Sequence, residues 1–457
     1  MRVRTKTPAS ITEGVIWKNM LLFFLPILLG TFFQQLYNTA DAIIVGNFVG
    51  KEALAAVGGA SGTLINLLVG FFVGMAGGAT VIIAQYYGAQ DHKNMQLAVH
   101  TAIAFAIVGG IILTVIGLLF SGTALRLMGT PDDVYPMART YMMIYFVGMI
   151  PNLIYNIGSG ILRAVGDSKR PLYFLIVACI VNIVLDLLFV GVFRWNVLGV
   201  AFATILSQTV SAVLVWIVLV RTPAAYRLEL SKLHMHRATL ARIIRIGLPA
   251  GLQSAMYSIS NVLVQASINS FGTDVMAAWT AFGKLDGMLW MVMGAFGITV
   301  ATFSGQNFGA GQYDRMRKSI RTGLVMASIA SLLISLFYIL FGREALMLFL
   351  SDETTISYGL TVLMIFVPFY VTYVPIEVFS GACRSAGDSL RPMLLTAFGV
   401  CVVRLVWLAT AVQIWHRLEV LAACYPITWI LTAILFTIYY LRGNWFRRNL
   451  PKKEAEN

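Results

Sequence analysis

The chain has 457 residues, 58% of them hydrophobic and only 12% charged, with a mean hydropathy of +0.80. A soluble domain carries roughly 25% charged residues, so this composition excludes an ordinary soluble protein and indicates one built for lipid. The net charge is +13, yet no separate hydrophilic domain exists to engage nucleic acid, and no nucleic-acid partner is expected.

A membrane span needs about 20 apolar residues. Twelve such runs are predicted, at 20–44, 53–84, 97–120, 138–162, 171–193, 197–220, 243–270, 275–302, 319–341, 357–382, 392–414 and 418–441. The first is already long enough to span, and no small-residue cleavage site follows it, so a cleavable leader is not expected. Pro26, Pro151, Pro249, Pro368, Pro375 and Pro426 lie inside these runs and should bend them. The longest connection, 221–242, divides six spans from six. The expected organisation is an N-terminal lobe at 15–220, a linker at 221–242, a C-terminal lobe at 243–441 and a basic tail at 442–457.

Charge placement sets the orientation. Of 33 Lys and Arg, 25 fall in the tails and the even-to-odd connections, six on the opposite side, and two (Lys284 and Arg404) within spans. Basic residues stay cytoplasmic, so both termini are expected inside. The cysteines Cys179, Cys383, Cys401 and Cys424 are scattered through apolar runs and read as packing residues.

Ionisable residues at membrane depth are costly unless paired or hydrated. Span one carries Gln34, Tyr37, Asn38 and Asp41 at i, i+3, i+4 and i+7, which share one helical face. Asn152 and Asn156 on span four, Asn182 and Asp186 on span five, and Thr204 and Gln208 on span six repeat the i, i+4 spacing. Amides and hydroxyls in spans often only bond neighbouring helices, but two acids with no base nearby point to a functional pocket. The second half holds Lys284 and Asp286 on span eight, Glu377 on span ten and Arg404 on span eleven, summing to zero charge. Glu377 and Arg404 are expected to form a structural ion pair. Asp286, Tyr257, Met288 and Met291 are candidates for a substrate cavity, since Met and aromatic side chains adapt to varied shapes.

The chain is one half written twice. Residues 162–171 read LRAVGDSKRP and residues 383–392 read CRSAGDSLRP, with six of ten positions identical at an offset of 221. The same offset joins Gln85–Ala89 to Gln306–Ala310, and offsets of 222 to 223 join Leu25-Pro26 to Leu248-Pro249 and Ala55-Ala56 to Ala277-Ala278. Six spans followed by six in the same order imply parallel halves with a site between them. Enzyme signatures are missing: Gly50-Lys51 and Gly283-Lys284 lack the following Ser or Thr of a phosphate-binding loop, and HExxH and GxSxG do not occur. A transporter rather than an enzyme is expected, with an ion gradient as its energy source.

The chain resembles the multidrug and toxic compound extrusion (MATE) transporters. The carrying residues are Gln34-Gln35-Leu36-Tyr37-Asn38-Thr39-Ala40-Asp41, Val45-Gly46, Ala53–Val57, Gln85–Ala89, Gly305–Ala310 and the paired Arg-x-x-Gly-Asp-Ser segments. The resemblance implies an all-α membrane protein of twelve helices in two six-helix lobes with a V-shaped opening. It implies an antiporter that expels cationic or amphipathic organic compounds in exchange for H+ or Na+, with no cofactor beyond that ion. Asp41, Asn182, Asp186 and Thr204 match the cation site of prokaryotic members. Gln34, Tyr37, Asn38, Asn152, Asn156 and Gln208 are the expected cavity residues beside it. A second-half coupling acid has no counterpart, because Tyr257 and Tyr373 stand where some members carry one. A monomer in the bacterial cytoplasmic membrane is expected. The alternative is a lipid-linked oligosaccharide flippase, which would favour a basic cavity for its pyrophosphate cargo.

Overall fold

The computed structural model describes residues 11–446, all helix and connection with no strand among them. Residues 1–10 and 447–457, the latter being most of the expected basic tail, lie outside the described residues. The chain divides into two compact units, residues 22–251 and residues 11–21 with 252–446.

In chain order the first unit contains α1 (Ile16–Phe48, from Leu22 onward), α2 (Lys51–Gly58), α3 (Ala60–Gly88), α4 (His92–Leu127), α5 (Tyr135–Val147), α6 (Met149–Ala164), α7 (Lys169–Asp186) and α8 (Asn196–Arg221). It ends with the start of α9 (Arg237–Asn269). Helix α6 packs against α3, α4 and α8, and α7 lies on α8. The second unit contains the rest of α9, then α10 (Thr273–Gly309), α11 (Tyr313–Met347), α12 (Glu353–Phe366), α13 (Tyr370–Ser385), α14 (Leu390–Thr396), α15 (Val403–Ala409), α16 (Ala411–Ile414) and α17 (Leu418–Arg442). Helix α10 packs on α11, α12 and α13, and α13 on α17.

Among the described residues ten helical segments are long and apolar enough to span a membrane, and α5 with α6, bent by 50°, makes eleven. The break falls at Gly148, where a Cβ would lie 2.4 Å from Ile205. The predicted seventh span is realised as α9. It is 33 residues long but does not join the eleven, because Arg242, Arg245, Gln253, Ser254, Tyr257, Ser258, Ser260, Asn261 and Gln265 dilute its apolar face. Long α helices satisfy their own backbone groups, the condition for crossing lipid.

The duplicated segment has a physical explanation in both copies. Gly166 and Gly387 adopt φ of 93° and 98°, a conformation that favours glycine. Each closes its helix with a paired cap. Asp167 N donates to Leu162 O at 2.9 Å and Gly166 N to Arg163 O at 2.9 Å; Asp388 N donates to Cys383 O at 3.0 Å and Gly387 N to Arg384 O at 2.9 Å. The aspartate then opens the next helix: Asp167 Oδ1 accepts from Lys169 N and Arg170 N at 3.2 and 3.1 Å. Arg170 and Arg391 pair back to Asp167 and Asp388 at 3.3 and 3.9 Å. Gly, Asp and Arg in that order therefore encode one tight helix–helix turn, used twice.

The segment 221–242 belongs to the first unit and is clasped by α4. His100 is 2% exposed. Its Nδ1 is 2.6 Å from Gln96 O, and its Nε2 accepts from Glu229 N at 3.0 Å. Gln96 Nε2 donates to Glu229 Oε1 at 2.9 Å, and His236 N donates to Thr101 Oγ1 at 3.2 Å. His100→Ala is expected to release this segment, at a cost of about 1–3 kcal/mol for the orphaned groups. Limited trypsin digestion at the exposed Arg227 and Lys232 should accelerate in the variant; an unchanged cleavage rate would contradict the clasp.

Candidate functional site

Three helices of the first unit converge on two carboxylates. α1 contributes Asp41, α7 contributes Asn182 and Asp186, and α8 contributes Thr204. All four are buried, at 6%, 0%, 0% and 3% exposure. Asp41 has Asp186, Asn182 and Thr204 as its side-chain neighbours, and Thr204 Oγ1 lies 3.4 Å from Asp41 Oδ2 while donating to Val200 O at 2.9 Å. Five buried polar atoms here lack a hydrogen-bond partner: Asp41 Oδ1, both Asp186 oxygens, and Asn182 Oδ1 and Nδ2. No Lys, Arg or His forms an ion pair with either acid among the described residues. Two adjacent buried carboxylates repel each other, so the protonation of one depends on that of the other. Buried polar atoms are ordinarily satisfied, and the carboxylate and amide oxygens gathered here are of the kind that can hold a proton or a hard cation.

The same unit holds an amide and tyrosine network. Asn156 Nδ2 donates to Asn152 O and Oδ1 at 2.9 and 3.0 Å, and Asn152 Nδ2 donates to Gln208 Oε1 at 3.3 Å. Tyr37 lies beside Gln34 and Gln208, and Tyr145 beside Gln208. The predicted residues Gln34, Tyr37, Asn152, Asn156 and Gln208 thus meet, whereas Asn38 is exposed and outside this network. Tyr141 and Tyr145 on α5, within electrostatic reach of Asp41, had no sequence signal. Neither belongs to a polar stripe, and the bend at Gly148 that aims α5 is not legible from spacing.

The second unit is organised by aromatic rings. Asp286 on α10 accepts from Trp290 Nε1 at 2.6 Å and from Tyr370 Oη at 2.8 Å, so both its oxygens are held. Trp429 on α17 packs edge-on against Trp290, Phe366, Tyr373 and Tyr425. Lys284 is exposed and makes no ion pair with Asp286. Met288 is half exposed and Met291 partly buried. The expected Glu377–Arg404 ion pair does not form. Tyr373 Oη donates to Glu377 Oε2 at 3.5 Å, and Tyr257 Oη is 3.4 Å from Tyr373 Oη. Arg404 instead donates from Nη1 to Asn261 Oδ1 at 3.1 Å and lies over the Tyr425 ring at 4.0 Å. Glu377 is thus joined to a pair of tyrosines, and Arg404 is held by an amide and a ring instead. Trp290→Phe is expected to cost about 1–2 kcal/mol in thermal unfolding, since it removes a hydrogen bond to a part-buried carboxylate; no change would mean that Asp286 is held by other groups.

A model of the MatE family matches residues 26–188 and again residues 249–409. The chain belongs to the MatE family. The double match falls on the two copies of the sequence repeat. Members of this family are membrane transporters, so the protein is a multi-pass membrane transporter and not an enzyme. It is 31% identical over 437 residues to the probable multidrug resistance protein YoeA of Bacillus subtilis, covering 93% of each chain. It is 24% identical to the FAD transporter of Shewanella oneidensis, covering 94% of this chain and 95% of that one. A crystal structure of a MATE protein in complex with MaL6 superposes with a TM-score of 0.90 at 22% identity, covering 97% of this chain and 100% of the other. That likeness establishes the all-helical fold shared by the MatE family.

Proposed function

We propose that this MatE protein is a cation-coupled antiporter that exports cationic or amphipathic organic compounds in exchange for H+ or Na+. The observation that carries the reading is the buried, unneutralised Asp41–Asp186 pair with its unsatisfied oxygens. A proton or Na+ taken up there removes one negative charge from the pair and weakens its hold on a cationic substrate; release of the ion restores that charge. One ion exchanged for one monovalent cation moves no net charge. Two ions per substrate recruit the membrane potential, at about 2.3 kcal/mol per charge per 100 mV. The relatives named for multidrug resistance support export over the flippase alternative, as does an acidic rather than basic pocket in the first unit. With α9 counted as a twelfth crossing, both termini are proposed to lie on one side, and the charge bias favours the cytoplasmic face of the bacterial inner membrane. The working unit is proposed to be a monomer, with small organic molecules and the bilayer as its partners.

Dye export from proteoliposomes, with pH and sodium gradients imposed separately, tests this reading. One of the two gradients alone should drive export against a dye gradient. Export indifferent to both would reject ion coupling.

A further inference from the structure

The duplication extends into the pocket and reverses its charge. Cys179-Ile180-Val181-Asn182 and Cys401-Val402-Val403-Arg404 stand 222 apart, one residue more than the offset joining Pro171 to Pro392. A π turn at Ala397–Val402 accommodates the extra residue, and π turns are one-residue insertions that concentrate at functional positions. Arg404 therefore occupies the place of Asn182. The 223 offset of Pro26 and Pro249 brings Asn261 to the place of Asn38 and Val264 to that of Asp41, and the 222 offset brings Leu408 to that of Asp186. Where the first unit buries two carboxylates, its duplicate buries a guanidinium.

This guanidinium is poorly satisfied. Arg404 is 2% exposed, and its hydrogen bonds to Asn261 and Ser260 both leave from Nη1. Nε has no partner, and no carboxylate pairs with Arg404 among the described residues. The Nε–Nη2 edge is the one that grips a planar carboxylate through two parallel hydrogen bonds. Arg404 Cζ lies over the Tyr425 ring at 4.0 Å, a contact that restrains the guanidinium without supplying a hydrogen bond to Nε. An unpaired basic group at membrane depth marks a binding function by default.

We infer that Arg404, with Asn261 and Tyr425, forms a subsite in the second unit for the carboxylate of an anionic or zwitterionic organic cargo. This rests on the exporter reading for its physiological meaning, but the binding it predicts does not. The test uses a rhodamine bearing a free carboxylate and the methyl ester of the same dye. Binding to the purified full-length protein is followed by quenching of tryptophan fluorescence, for which Trp279, Trp290 and Trp429 sit in the adjoining aromatic cluster. Arg404→Gln should raise the Kd of the free-carboxylate dye about tenfold, the loss of a charge-assisted hydrogen bond, and leave the ester within about twofold. Should that variant not fold, Arg404→Lys keeps the charge but loses the bidentate edge, and should weaken the acid alone by several-fold. Equal weakening of acid and ester, or no weakening of either, would overturn the subsite. Export in proteoliposomes is read separately: failure of the wild type to export either dye would sink the exporter reading while the binding comparison still decides the subsite.

Discussion

Asp41→Asn and Asp186→Asn are each expected to lower gradient-driven export by about a hundredfold, while the purified proteins unfold at the wild-type temperature or above it. Asparagine keeps the shape and the oxygen acceptor but can neither bind a proton nor balance a cation. Coupling free energies between ion and substrate sites run to about 1–3 kcal/mol, and removing the upper end of that range costs about two decades. Stability should not fall, because each substitution removes one of two mutually repelling buried charges, and a lone or crowded buried charge is itself destabilising. Transport loss with intact folding is the pattern that separates an ion site from a structural polar cluster. A variant that unfolds early would assign the acids to packing.

The second large effect is structural. Gly74 and Gly78 on α3 face Gly251 and Gly247 on α9 with no room between the backbones. A Cβ on Gly78 would lie 2.5 Å from Ile243 O and 2.6 Å from Gly247 N, and one on Gly247 would lie 2.4 Å from Met75 O. In lipid, close backbone approach replaces the hydrophobic driving force between helices. Gly78→Leu and Gly247→Leu are each expected to destabilise the first unit by about 3 kcal/mol or more, visible as a large drop in thermal unfolding temperature in detergent. Gly77, one residue away, has open space at its Cβ, so Gly77→Ala should be silent and serves as the control. Equal effects at positions 77 and 78 would mean that glycine matters here for flexibility rather than for contact.

Much of this arrangement is legible in the amino-acid sequence, and the reasons differ by residue. The acid pocket could be read because Asp41, Asn182, Asp186, Thr204 and Gln208 sit on polar stripes with helical spacing, and a polar stripe in an apolar helix has few places to go. The repeated Gly-Asp-Ser-x-Arg-Pro turn could be read because its chemistry is local. The glycine contact was less clear: Gly70 and Gly74 show the small-residue spacing, but the strip in use lies one turn later, at Gly74 and Gly78. Choosing between them needs the partner helix. Glu377 and Arg404 match on charge alone, and nothing in the sequence indicates that Tyr373 takes the first and Asn261 and Tyr425 the second. The polarity of α9 was visible residue by residue, yet a run beginning after Arg242 looks more apolar than the full helix from Arg237. Tyr141 and Tyr145 reach the site only through the 50° bend between α5 and α6, a tertiary feature.

On the proposed mechanism the Asp41–Asn182–Asp186–Thr204 pocket carries the coupling ion. Cation counterflow measures this most directly. Proteoliposomes holding the protein are given an outward gradient of a cationic dye, and uptake of protons or of sodium into the lumen is recorded in the absence of any imposed ion gradient. The wild type should take up one of the two ions in proportion to the dye released. The Asp41→Asn, Asp186→Asn double variant should take up neither. Dye-driven ion uptake that persists in the double variant would place the coupling site elsewhere in the molecule.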